Sequence, residues 1–243
     1  MSFPTDIYGA EGEQWETYSD QRHVLGTRLV LQDGRTFRFV ENGGTLLVTG
    51  NVIQAEAPGA NFDELVVPSA AAIGAETVTV TLGSTAAAVD LFAEGYLFVE
   101  DDAGESFLYP VRSHPAAATS ATMVVTIWNS IQVALTASST VLLLKSLYKD
   151  VIQLPTTGTG DIVGVAVKAI AADEYGWIQT HGPCGVLTDG TLVIGQHIRA
   201  SDGTAGAVEP LNRDGTGEDE AELGRVISVS ATTEQSLCYL TIE

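Results

Sequence analysis

His181 and Cys184 stand three residues apart, a separation at which a thiolate and an imidazole can share a metal ion. A closed zinc site needs about four such ligands. The other cysteine, Cys238, has no histidine or second thiol near it in sequence, and His23, His114 and His197 are widely spread. Oxygen ligands are gathered at Asp214, Glu218, Asp219 and Glu220, but their spacing lacks the calcium-loop pattern that ends in a bidentate glutamate. Solvation explains that acidic run better than a cation does. Glu100, Asp101 and Asp102 sit where a hairpin tip is expected, and carboxylate pairs in so acidic a chain carry little specificity for glycosidic chemistry. No G-x-S-x-G elbow, phosphate loop or dinucleotide fingerprint occurs. Exposed Trp15, Trp128 or Trp177 could stack on sugar rings. Trp177 alternates within an apolar stretch and reads as core. The expectation is a chain that is not an enzyme and that holds no metal or cofactor.

Charge points the same way. The 243 residues include 31 acids and 11 bases, a formal charge of −20. Such a surface repels phosphate backbones, so no nucleic-acid partner is expected. One segment runs against this trend. Gln21 to Val40 carries Arg22, Arg28, Arg35 and Arg38 against the single acid Asp33. It reads either as a contact for a negatively charged partner or as strand arginines that keep an edge soluble. The two cysteines make no disulfide framework. They could pair with each other, or remain free and behave as small apolar residues. The longest apolar run, Val141 to Leu144, is too short to span a bilayer as a helix, so no membrane partner is expected. The first residues show neither a basic n-region nor an apolar h-region, which implies synthesis in a cytoplasm.

The elements that would position these residues are strands. Arg28 to Val40 reads as a hairpin: Leu29 and Leu31 share one face, Phe37 and Phe39 another, and Asp33-Gly34 supplies a tight turn. Tyr96 to Val111 repeats the scheme around D-D-A-G. Glu76 to Leu82 alternates strictly, with Val78, Val80 and Leu82 inward. Further strands fit 122–133, 141–154, 161–170, 175–181, 185–187, 192–200, 223–230 and 236–242. Helix is confined to short pieces at Thr85 to Gly95 or Asn61 to Ala72. The fold class is therefore all-β, built from short antiparallel strands and hairpins.

Three regions are expected. Residues 1–24 form an extended arm whose aromatics Phe3, Tyr8, Trp15 and Tyr18 follow no strand or helix period. Such an arm reaches for a neighbour or folds back over its own domain. Residues 25–155 form a β-rich middle domain, and 156–243 a small C-terminal barrel or sandwich, with the join at L-P-T-T-G-T-G (154–160).

Two segments carry a resemblance. G-T-R-L-V-L-Q-D-G-R-T-F-R-F-V-E-N-G-G (26–44) resembles the G-x-R-L-x-L-P-D-G-R-x-F-R-Y opening of structural proteins from tailed bacteriophages, with Gln32 in place of the usual proline. Y-G-W-I-Q-T-H-G-P-C (175–184) resembles the W-V-Q-T-x-G segment found late in the same proteins. The resemblance implies a capsid decoration, or cement, protein: a homotrimer on the exterior of the virion head, bound to the major capsid protein and made in a bacterial cytoplasm. The alternative it leaves is a tail, fibre or baseplate component, or a glycan-binding module. On the decoration reading the contacts fall on Phe3, Tyr8, Trp15, Tyr18, Arg22, Arg28, Arg35 and Arg38.

Overall fold

The computed structural model describes residues 6–211, 221–231 and 234–243. Strands dominate, and no α-helix occurs among the described residues. In chain order they open with β1 (Asp6–Tyr8), β2 (Arg28–Val30), β3 (Thr36–Glu41) and β4 (Val52–Gln54). Six follow in the middle of the chain: β5 (Leu65–Val66), β6 (Thr77–Thr81), β7 (Tyr96–Asp101), β8 (Leu108–Ser113), β9 (Thr122–Ile127) and β10 (Thr140–Leu144). The last seven are β11 (Ile152–Gln153), β12 (Ile162–Ala166), β13 (Tyr175–Leu187), β14 (His197–Ala200), β15 (Val208–Pro210), β16 (Gly224–Ser228) and β17 (Gln235–Thr241).

The chain divides into two compact units, Pro58–Ser146 and a second that joins Met1–Ala57 to Leu147–Glu243. In the continuous unit, β10-β5-β6-β9-β8-β7 close into a barrel. Its interior is written by alternation: Val78 and Val80 of β6 and Leu97 and Val99 of β7 are fully buried, while the threonines of β6 face outward. Phe62 and Phe92 meet edge to face at 4.8 Å in this core. The two segments expected as short helices are turns and extended backbone instead, the one at Asn61 to Ala72 containing β5. Asn61, Glu64, Asp90 and Glu94 take positive φ, and isolated bridges Ala71↔Leu135 and Ala87↔Ala117 pin both stretches to distant backbone. A run of alanines has helix propensity, but these carbonyls and amides found partners across the barrel first.

The discontinuous unit is one large sheet, ordered β1-β2-β3-β13-β17-β16-β14-β15, with β12 bridging β13 to β4 and β11 beside β4. The expected hairpin is present: β2 and β3 pair, Leu31 N–H bonds Arg35 O, and Gly34 supplies φ 86°. Leu29, Phe37 and Phe39 are fully buried. The division differs from the expected one at residue 155. Leu154 to Gly160 is a connection inside this unit, and Gln54 grips it by donating to Thr159 Oγ1 at 2.8 Å and accepting from Thr159 N at 3.1 Å. What unites residues 25–57 with the C-terminal third is the long β13, which pairs β3 through Tyr175–His181 and β17 through His181–Leu187.

Pro183 sits in the middle of this central strand, where a missing N–H usually costs a ladder bond. Ile242 N–H donates to Thr180 O, so Thr180, Gly182 and Cys184 are the residues of β13 that bond β17. Pro183 falls between them and its ladder is complete. On its other side its carbonyl accepts from the buried Gln179 amide at 2.9 Å.

Asn42 follows β3 and is 1% exposed. Its Nδ2 donates to Thr45 O (2.9 Å), Ile170 O (2.9 Å) and Ala171 O (2.8 Å). Three surrounding carbonyls identify which end of the amide is nitrogen. One side chain thus closes the N-G-G turn and fastens it to the connection between β12 and β13.

Candidate interaction surface

The N-terminal segment lies on its own unit from Asp6 onward. β1 runs parallel to β2, with Tyr8 opposite Val30, and Gly9 N–H extends the ladder to Val30 O. A 3-10 turn over Glu13–Trp15 follows, which buries Gln14 and leaves Trp15 49% exposed. Tyr8 is 85% exposed at the outer edge of the sheet. Tyr18 then exchanges two backbone hydrogen bonds with Tyr175, at 2.9 and 2.8 Å, and sets its ring 6.1 Å from Phe39. Burial raises the Tyr18 hydroxyl pKa, with Glu16 and Glu13 adding to the effect. Of the aromatics expected to reach a partner, Tyr8 and Trp15 are available and Tyr18 is half-buried packing. Phe3 lies outside the described residues.

The four arginines are mostly engaged by this chain's own acids. Arg28 pairs with Asp6 of β1 at 3.4 Å. Arg35 bonds Glu11 at 2.5 Å and Asp33 at 2.6 Å. Arg38 grips Glu243 with two nitrogens, donates to Gly26 O at 2.7 Å and lies 5.8 Å over the Tyr148 ring. Arg22 is exposed and lies 5.9 Å over the Tyr18 ring. Three guanidiniums therefore tie the N-terminal segment, the turn and the chain end to one hairpin, and their charge is largely spent locally. Exposed pairs of this kind add little stability singly. Together they keep the β1 edge in place.

The metal reading of His181 and Cys184 fails on geometry. An odd separation along a strand puts the two side chains on opposite faces. Cys184 is buried, and burial pushes its thiol up to about 12, with Cys238 adding to the effect. His181 stays on the outer face, 3.2 Å from Tyr239 Oη through Nε2 and 3.1 Å from Glu243 O through Nδ1. No cluster of three or more histidine, cysteine or acidic residues that could hold a metal occurs among the described residues. The acidic run Asp214, Glu218, Asp219 and Glu220 lies outside them. Both cysteines are free.

Of the sugar-stacking tryptophans, Trp177 is buried 5.0 Å from Phe39 and 5.3 Å from His23. Trp128 is part-exposed, with Arg112 5.1 Å from its ring.

One polar cluster was not visible in the sequence. Arg199, nearly buried, bonds Glu209 and, at 3.2 Å, Asp202. Ser201 Oγ donates to Asp189 at 2.8 Å and accepts from Gly203 N and Thr204 N. The Ser201 and Thr204 hydroxyls hold the Asp189 carboxyl below its usual range. These contacts tie the β14–β15 turn to both of its strands and to Asp189 after β13, as a staple does. Beside it opens a cleft of about 410 Å³ lined by Leu154, Pro155, Thr157, Ile162, Ser201 and Asp202. Asp202 is the lone carboxylate among the described residues of the lining, which pair no general acid with a base.

No protein-family model, no curated protein and no solved structure matches this chain.

Proposed function

We propose that this chain is a non-enzymatic decoration protein of a tailed-bacteriophage head, a homotrimer that binds the outer surface of the major capsid protein shell and stabilises it. The observation that carries the reading joins sequence to fold. The two segments that resemble phage structural proteins are hydrogen-bonded neighbours, β3 and β13, with Phe39 opposite Trp177. The resemblance thus falls on one packed module and not on scattered words. The charge of −20 supports an exterior position, because an acidic surface is repelled by packaged DNA. Tyr8 and Trp15, exposed beside the open β1 edge, supply rigid aromatic area for a partner. Repetition over a shell lets weak single contacts add up.

Heads assembled without this chain provide the test. Added protein should bind at hundreds of copies and appear on the outer surface by particle imaging. Tyr8→Ala with Trp15→Ala should weaken that binding at least tenfold with thermal stability unchanged. Density inside the head, or tens of copies confined to the tail, would defeat the reading and favour a tail or fibre component.

A further inference from the structure

Three neighbouring strands, β13, β17 and β16, contain no aspartate or glutamate, in a chain that has 31. Their inner residues Cys184, Val186, Cys238, Leu240 and Val226 belong to one buried core. Their outer residues present a second apolar surface to solvent. Register sets these in rows: Pro183, Tyr239 and Arg225 lie side by side, then Gly185 and Leu237, with Ile227 at a bulge. Pro183, Gly185, Leu237 and Ile227 are all exposed. The turn before β14 adds Val193 and Ile194, 61% and 66% exposed, and Gly195 N–H fixes it to Val226 O.

We propose that this outer face is where copies of this chain meet. The inference concerns the homo-oligomeric part of the proposed function, setting this face against the same face of a second copy, and does not depend on capsid binding. Its first support is charge. Two molecules at −20 repel wherever carboxylates face each other, and these strands are a place where they do not. The basic groups present are too few to select an acidic partner. Arg225 lies 5.3 Å from the Tyr239 ring, and His181 is held by Tyr239 and Glu243, whose own carboxylate is engaged by Arg38. Area is the second support. The exposed parts of these side chains amount to roughly 600 Å² per copy, or roughly 1,200 Å² for a pair, at the lower bound of stable specific interfaces. Shape is the third: between His181 and Leu187 the outward residues of β13 are only Pro183 and Gly185, so a second surface can approach closely beside Tyr239 and Leu237.

Sedimentation and light scattering of the full chain, from low to high micromolar concentration, test this. The wild type should be an oligomer that tightens as salt rises, because screening removes repulsion while apolar contact persists. Leu237→Glu should yield monomers, and Leu237→Ser, which is gentler to folding, should weaken assembly at least tenfold. Hydroxyl-radical footprinting should show Leu237 and Tyr239 protected in the wild-type oligomer. A wild type that stays monomeric, an oligomer unaffected by both variants, or association that weakens with salt would each overturn the inference; the last would point to an acidic partner. A monomeric chain that still decorates heads would end this inference and the homotrimer but leave the capsid reading standing, and an oligomer that ignores heads would end only the capsid reading.

Discussion

Replacing Asn42 by aspartate changes one NH₂ into an oxygen and should nearly dismantle the larger sheet. The native Nδ2 gives three hydrogen bonds to carbonyls 2.8–2.9 Å away, at a site 1% exposed. The two protons of that NH₂ serve three carbonyls, so the lost bonds and the carbonyls left without a donor together cost about 2–3 kcal/mol. A carboxylate there also faces three carbonyl dipoles without water. Its pKa must rise, and each unit of rise costs about 1.4 kcal/mol at neutral pH. The sum is about 4–6 kcal/mol, most of the margin of an ordinary domain. Asn42→Ala loses the donors without the charge and should cost about 2–3 kcal/mol. The sign with pH is definite. A carboxyl whose folded pKa is raised destabilises increasingly as pH climbs from the unfolded value toward the folded one. Below that window it is protonated and restores one donor. Urea unfolding followed by Trp177 emission, with Trp15 and Trp128 replaced by phenylalanine, measures this directly. Asn42→Asp should be the worse variant at pH 7 and should approach Asn42→Ala near pH 4. Equal stabilities at pH 7, or a loss that does not vary with pH, would refute the reasoning.

Burial lowers the His23 pKa, against the pull of Glu13, where the ring packs 5.1 Å from Phe39. A histidine depressed in the fold loses its contribution as pH falls below 6.5 toward its folded value, so urea midpoints should drop across that range and His23→Gln should remove this part of the slope. Gly224→Ala should cost about 3–5 kcal/mol, read by thermal unfolding, because its φ of 150° is foreign to alanine and the new Cβ would clash with the Tyr239 carbonyl oxygen. Cys184 and Cys238, with thiols pushed up to about 12 and about 11 by burial, should resist an aromatic disulfide reagent in the native chain and react at once in denaturant.

Local pattern made some elements legible. Alternation in T-V-T-V-T and the Asp-Gly turn at 33–34 located β6 and the β2–β3 hairpin because both signals lie within a few residues. Partnership at long range was not legible. Nothing near residue 155 shows that β3 will pair with β13, and so the barrel at 58–146 looked like the middle of a larger domain. Residues 192–200 read as one strand, but only His197–Ala200 pairs, and Val193 and Ile194 are exposed in the turn before it. The arginines of 22–38 were legible as a basic segment, yet the acids that engage them come from residues 6, 11 and 243 as well as from Asp33. Nothing in the sequence singled out Asn42, because two of its three carbonyl partners are 128 and 129 residues away.

The same asparagine bears on how the protein ages. An Asn-Gly pair is chemically fragile: the glycine nitrogen attacks the side-chain carbonyl, ammonia leaves, and the resulting ring hydrolyses to aspartate or isoaspartate. Asn42-Gly43 is such a pair, and the fold immobilises both reactants. The amide is held by three carbonyls, and Gly43 N–H is committed to Val151 O at 3.0 Å. Ring closure needs both groups released, so deamidation at this position proceeds only through local opening. A chain that deamidates while open acquires the very carboxylate that hinders its reclosing. The mark is permanent, and the fraction of chains in an old sample that carry an acid in place of Asn42 sums the time this turn has spent undone.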